Sequence, residues 1–234
     1  MKIVHFSDVH GNYDAFKVFT DELKSLQPDL VLFGGDVVGY YYKPNEILDF
    51  MRGNDFKCVL GNHDKNYLDI VDKKINSVDL ANKYGSSYLN LIKDISEENL
   101  DFIRGWPEKL ELTVQNKKIL MVHGSPNDHL NGRIYPDSEL ECYKEIFEEY
   151  DYVLLGHTHH KINKVIGRTK IINSGSLGQQ RDGKGCSYTI LDLGKGTEVN
   201  RVVNYPVNLL EYEVLKKDSA FKRNFEVLFR KPYY

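Results

Sequence analysis

The chain has 234 residues, 41% hydrophobic and 28% charged, the balance of a soluble globular protein with enough apolar material for a sizeable core. A net charge of −3 gives no support for a general nucleic-acid or membrane-surface binder, which would show a basic excess. No apolar run approaches a membrane span, and the N-terminus turns polar at Ser7-Asp8, too early for a signal peptide. The cysteines Cys58, Cys142 and Cys186 share no zinc-type spacing and read as reduced thiols, so a cytoplasmic location is expected.

The first half reads as alternating strands and helices. Lys2–Ser7 forms the first strand, and residues 12–26 follow as an amphipathic helix with Phe16, Phe19, Leu23 and Leu26 on one face, ended by Gln27-Pro28. Residues 30–33 are a solid apolar run, as in a strand covered on both faces. A short helix opens at Pro44 and runs to Met51, and residues 57–60 give another buried strand. Between about 65 and 106 the pattern is a less regular helical insertion, with a helix start at Ser96-Glu97-Glu98. This insertion carries no obvious chemical group and is read as cover for a sheet face. From Glu108 onward strands dominate, at 108–114, 118–122, 152–155, 161–166, 170–173, 187–193 and 198–204, with one helix expected at 138–150. The tail, about 208–234, has helical periodicity and is read as one or two docked helices. With no linker, repeat or low-complexity segment, residues 1–234 are expected to form a single domain.

Five of these strands end on residues that bind metals or phosphate. Lys2–Ser7 runs into Asp8-Val9-His10-Gly11-Asn12, and Asp29–Phe33 into Gly34-Gly35-Asp36. Lys57–Leu60 leads to Gly61-Asn62-His63-Asp64, Lys118–Val122 to His123-Gly124, and Tyr152–Leu155 to Gly156-His157-Thr158-His159. Any one of these histidines alone would be read as an ordinary core or surface residue. Five such endings in one chain describe a single site, because ligands in α/β folds gather at the carboxyl ends of strands. Asp8, His10, Asp36, Asn62, His123, His157 and His159 are the candidate ligands, with Asp36 as a bridging carboxylate. Mixed imidazole and carboxylate donors suit manganese, iron, zinc or nickel better than calcium or magnesium. Seven such ligands, one of them bridging, would hold two divalent ions roughly 3.5–4 Å apart. His5, His129 and His160 are read as structural, His160 being the nearest of them to the ligands in sequence.

In that order the motifs resemble the calcineurin-like metallophosphoesterase superfamily, whose pattern is Asp-x-His, Gly-Asp, Gly-Asn-His-Asp/Glu, His-Gly and Gly-His-x-His. The segment from Asn173 to Gly183 is similar to the Asn-Pro-Gly-Ser loop of small bacterial and archaeal phosphodiesterase-like members, and Gly34-Gly35-Asp36-Val37-Val38-Gly39-Tyr40 points to the same subgroup. The resemblance implies an α/β fold, a four-layer α/β/β/α sandwich with two facing mixed sheets. It implies that Asp8, His10, Asp36 and His159 hold one ion and Asp36, Asn62, His123 and His157 the other. It makes His63 the catalytic histidine near the leaving group, oriented by Asp64.

The implied reaction is hydrolysis of phosphodiester or nucleotide phosphoanhydride bonds by a hydroxide between two metals, a dinucleoside polyphosphate being one candidate substrate. The expected partner is a small phosphate ester. Arg181 is a candidate phosphate contact, since its planar fork matches phosphate oxygens, and a solvated loop arginine is the equal alternative. Tyr40, Tyr41 and Tyr42 are read as surface-loop tyrosines; the alternative is an aromatic platform for a nucleobase, with Tyr40 in contact with substrate. Where protein phosphatases of the superfamily continue with Asp-Arg-Gly, this chain has Gly39-Tyr40-Tyr41, which weighs against a phosphoprotein substrate. The competing readings are a phosphomonoesterase or protein phosphatase, and a non-catalytic scaffold on the same fold.

Overall fold

The buried β-branched and aliphatic runs become the central strands of two five-stranded sheets in the computed structural model, which describes residues 1–226 and 228. The first sheet has the order β10-β9-β1-β2-β3, with β1 (Lys2–Phe6), β2 (Leu30–Phe33), β3 (Phe56–Cys58), β9 (Ser187–Asp192) and β10 (Thr197–Val202). β1, β2 and β3 are parallel, while β9 and β10 add antiparallel strands at one edge. The second sheet has the order β4-β5-β6-β8-β7, formed by β4 (Lys109–Val114), β5 (Lys117–Val122), β6 (Tyr152–Leu155), β7 (Lys161–Ile166) and β8 (Thr169–Ser174). Here β5, β6 and β8 are parallel, and β4 and β7 close the edges antiparallel.

Strand alternation divides the apolar side chains among three layers. Ile3, Leu32, Ile119, Met121, Leu154 and Ile172 fill the space between the sheets. Val4, Phe6, Val31 and Phe33 face the other way, onto α1 (Tyr13–Leu26) and α2 (Pro44–Arg52) through Phe16, Phe19, Ile47 and Met51. Leu120, Val122, Val153 and Leu155 line the outer face of the second sheet under Ile134, Leu140 and Phe147. The result is the four-layer α/β/β/α sandwich. His5 shares the inter-sheet side of β1 and is fully buried, with Nδ1 2.7 Å from Ser174 Oγ.

The outer layer on the second sheet is thinner than expected. In place of a helix over 138–150 there is a 3₁₀ turn at Glu141–Tyr143 and a four-residue helix, α7 (Lys144–Phe147). The apolar spacings Leu140–Tyr143 and Phe147–Tyr150 are three residues, and Tyr143 and Tyr150 both donate to the carbonyl three residues back. That spacing is served by tight 3₁₀ turns as well as by an α-helix. β3 also stops earlier than expected, because the Leu60 amide turns away to the Pro107 carbonyl.

The insertion resolves into α3 (Asn62–Val71), α4 (Ser77–Tyr84), α5 (Ser87–Asp94) and α6 (Glu97–Arg104). Residues after β10 form α8 (Val207–Asp218) and α9 (Lys222–Glu226), as the tail periodicity suggests; its end, Arg230–Tyr234, lies outside the described residues. The three cysteines are unpaired. Among the described residues no helix is long and apolar enough to cross a membrane.

Candidate metal centre and active site

β1, β2 and β3 run parallel in one sheet, and β5 and β6 do so in the other. Their carboxyl ends deliver the five motifs to a common rim. The turns there are tight: Asp8, His10, Asp36, His157 and His159 all have positive φ, between 51° and 64°. Left-handed backbone costs a non-glycine residue on the order of 1 kcal/mol or more, and such strain gathers at functional sites. Gly61 is required by close approach, since a Cβ there would lie 2.0 Å from Asp36 Oδ1.

The hydrogen bonds of the histidines decide what faces the centre of the cluster. His10 Nδ1 lies 2.9 Å from the Val38 carbonyl, His159 Nδ1 2.5 Å from the Gln179 carbonyl, and His123 Nδ1 2.8 Å from the Gly34 carbonyl. A carbonyl can only accept, so in each neutral ring Nδ1 carries the proton and Nε2 presents a lone pair. Yet His10 Nε2 and His159 Nε2 sit 3.1 Å apart, lone pair against lone pair. Asp8 Oδ1 is 3.1 Å from His159 Nε2 and, although buried, has no hydrogen-bond donor. Asp36 Oδ2 stands between two groups, 3.7 Å from His10 Nε2 and 3.2 Å from His123 Nε2. Asn62 Oδ1 approaches His123 Nε2 at 3.1 Å and His157 Nδ1 at 2.9 Å. At His10, His159 and Asp8 acceptors converge on acceptors in a buried space, an arrangement that fits a divalent cation. The groups Asp8–His10–His159 and Asp36–His123–His157 each bring their donor atoms within 4.8 Å of one another.

His157 is held differently. Its Nε2 lies 3.3 Å from Arg133 Nε, a donor, so here Nδ1 carries the proton toward Asn62. For Nδ1 to ligate, the proton must move to Nε2, which ends the bond from Arg133. Arg133, on the exposed loop after β5, drew no attention in the sequence because nothing in its neighbours marks it.

Without metal the charges balance through protons. Burial would depress His123, but the Asp36 and Asp8 carboxylates beside it outweigh that and hold it up to about 10. Burial would likewise raise Asp8 and Asp36; the surrounding imidazoles, His159 for Asp8 and His123 for Asp36, keep both carboxyls below the usual range. His63 is lowered to about 4 by burial, and His10 and His159 are also lowered, chiefly by burial.

His63 sits beside this cluster, its ring 4.9 Å from His10 and 5.0 Å from Tyr40. The expectation that Asp64 orients it is corrected by the hydrogen bonds. Asp64 instead accepts from the amides of Asp36, Val37, Val38 and Gly61, at 2.7–3.2 Å. It fixes the loop that carries Asp36, and Tyr88 of α5 meets the His63 ring, with its hydroxyl 2.6 Å from Nδ1. Tyr84 of α4 packs on the same ring at 4.6 Å. The insertion is therefore not mere cover.

Tyr40 and Tyr41 are buried rather than surface-loop residues, and Tyr42 is half-buried. Tyr41 and Tyr42 point toward the tail, with hydroxyls bonded to the Asn224 carbonyl and Asp218 Oδ2. Tyr40 is turned to the site. It accepts from Arg181 Nη2 at 3.0 Å, and Arg181 also donates to Gln179 Oε1 at 2.9 Å. Arg181 and Tyr40 are thus brought together at the edge of the ligand cluster.

The folding pattern and the donor set define a metal-binding α/β/β/α sandwich. Residues 1–196 match the family model of the calcineurin-like phosphoesterase superfamily domain, and the chain belongs to that family. It is 31% identical to the uncharacterized protein MJ0912 of Methanocaldococcus jannaschii, over 81% of this chain and 82% of that one. The fold is shared with hypothetical protein PH1004 from Pyrococcus horikoshii OT3, at a TM-score of 0.82 and 17% identity, covering 100% of this chain and 99% of the other. A metallophosphoesterase from Sphaerobacter thermophilus gives a TM-score of 0.75 and 21% identity, over 97% and 100% of the two chains. Membership of that family makes the protein a phosphoesterase.

Proposed function

We propose that the chain holds two divalent transition-type ions and hydrolyses phosphodiesters. The observation that carries this is the facing lone pairs of His10 and His159 with Asp8, alongside a second group of potential ligands around Asp36, His123 and Asn62. Divalent ions held there supply Lewis acidity toward phosphoryl oxygens and bring the pKa of water down to about 7. Asp8, His10, Asp36 and His159 form one ligand group; Asp36, Asn62, His123 and His157 form the other. Arg181, steadied by Tyr40 and Gln179, would offer its fork to a non-bridging oxygen. His63 offers a ring nitrogen to the leaving oxygen.

A diester is favoured over a dinucleoside polyphosphate because Tyr40 and Tyr41, the rings that follow Asp36, are buried and offer no open face to a base. An archaeal phosphodiesterase shares the fold at a TM-score of 0.52 and 16% identity, a likeness of fold alone. The test is turnover by metal-stripped protein with manganese restored, on bis-p-nitrophenyl phosphate, p-nitrophenyl phosphate and diadenosine tetraphosphate. Manganese-dependent cleavage of the diester first, with metal lost in Asp36→Asn and metal retained but turnover reduced in His63→Ala, is expected. Two bound ions with no turnover on any ester would leave the non-catalytic scaffold as the better reading.

A further inference from the structure

The group that orients His63 comes from an unexpected element. A Cβ on Gly39 would lie 2.5 Å from His63 Nδ1, and Gly39 has φ +88°, so the loop after Asp36 passes over the ring without a side chain to hold it. The place beside Nδ1 is taken by the hydroxyl of Tyr88, itself buried, from the insertion helix α5. Among the described residues, besides Nδ1 at 2.6 Å, the acceptor within reach of that hydroxyl is the His63 carbonyl, at the much poorer 3.5 Å. A hydroxyl with these two choices gives its proton to Nδ1. The neutral imidazole then carries its own hydrogen on Nε2. Tyr84, Tyr40 and His10 pack around the same ring, at 4.6–5.0 Å, and hold its plane. Burial keeps the Tyr88 phenol far above its ordinary pKa, so it remains a hydroxyl throughout the working range.

Resting on the phosphodiesterase reading above, we propose that Tyr88 is a positioning residue that locks His63 in the Nε2–H form, so that Nε2 donates a hydrogen bond to the leaving-group oxygen. Insertion and sandwich are thereby coupled: α5 sets the donor carried by the first turn of α3. Tyr88 sets orientation and tautomer, and no bond is made or broken at it.

The test is Tyr88→Phe, which removes one oxygen and keeps the ring, alone and combined with His63→Ala, with metal content and melting temperature checked. Substrates are aryl esters of thymidine 5′-monophosphate running from p-nitrophenol to unsubstituted phenol as leaving group. Tyr88→Phe is expected to lower kcat about tenfold or more on the phenyl ester and far less on the p-nitrophenyl ester, with KM little changed. It should add nothing to the loss in His63→Ala. Equal losses across leaving groups, or losses that add to those of His63→Ala, would overturn the proposal.

A second readout needs no turnover. Ring-nitrogen NMR of the zinc-loaded wild-type protein is expected to find His63 as the Nε2–H tautomer, shifting to a mixture in Tyr88→Phe. An Nδ1–H ring in the wild type overturns the inference even should the variant fail to fold. If the wild type cleaves no ester at all, the functional reading falls, and the ring-nitrogen spectra alone decide the role of Tyr88.

Discussion

Asp64 is the side chain whose role differs most from what its neighbours suggest. It follows His63 directly, yet both its oxygens are taken by four backbone amides, and through them it holds the turn bearing Asp36. Burial and the charge of Asp36 push it up to about 7 against those four bonds. Asp64→Asn keeps the shape but puts an amide nitrogen where an acceptor is needed, leaving one or two buried N–H groups unpaired. That should cost about 2–4 kcal/mol and weaken metal binding through Asp36. Urea unfolding together with metal content per chain checks this. A variant as stable as wild type with both ions retained would mean the turn is held by other contacts.

The strands and the ligand motifs were legible in the sequence because each is local: a buried run followed within a few residues by Asp, Asn, His and Gly. What was not legible depends on packing between distant segments. Tyr84 and Tyr88 lie in the insertion read only as cover, and the docking of α4 and α5 brings them to His63. The triple tyrosine reads as a polar loop until α8 and α9 cover it. Asp218, at the end of α8, accepts from Tyr42 Oη at 2.7 Å and from the Ser86 amide and hydroxyl at 3.0 Å, on the turn between α4 and α5. Asn224 Nδ2 reaches the Tyr84 carbonyl at 3.2 Å. The tail therefore fastens the insertion that holds His63. Asp218→Ala should cost about 1–3 kcal/mol by leaving part-buried donors unpaired, and open the 85–86 turn to proteolysis. It should also lower kcat more than it changes metal content. A loss of stability with kcat untouched would mean the tail steadies the fold without reaching the site.

Across the whole molecule, two sheets meet at a rim of strained turns, buried carboxylates and lone pairs, so the metal-free protein must be held together by protons. For His123, raised to about 10 from 6.5, the contribution to stability is complete below pH 6.5 and is lost as pH rises through 10. For His5, lowered to about 4 by burial, the sign is opposite: the contribution is complete above 6.5 and is lost as pH falls toward 4. His63 and His157, also lowered to about 4, add to the acid side. Each group changes stability by roughly 1.4 kcal/mol per pH unit within its window. The metal-stripped protein should therefore be most stable near neutral pH and weaken in both directions. Metal binding displaces the His123 proton, so affinity should rise as pH climbs from 6.5 toward 10, where the stripped protein is losing stability. The melting-temperature gap between zinc-loaded and stripped protein should accordingly widen from pH 6.5 to pH 9. Proton release on metal uptake, read by calorimetry in buffers of different ionisation enthalpy, should be close to one from His123 at neutral pH. A gap that is flat with pH, or uptake without proton release, would mean that His123 is already neutral and that Asp36 meets the cation without competition.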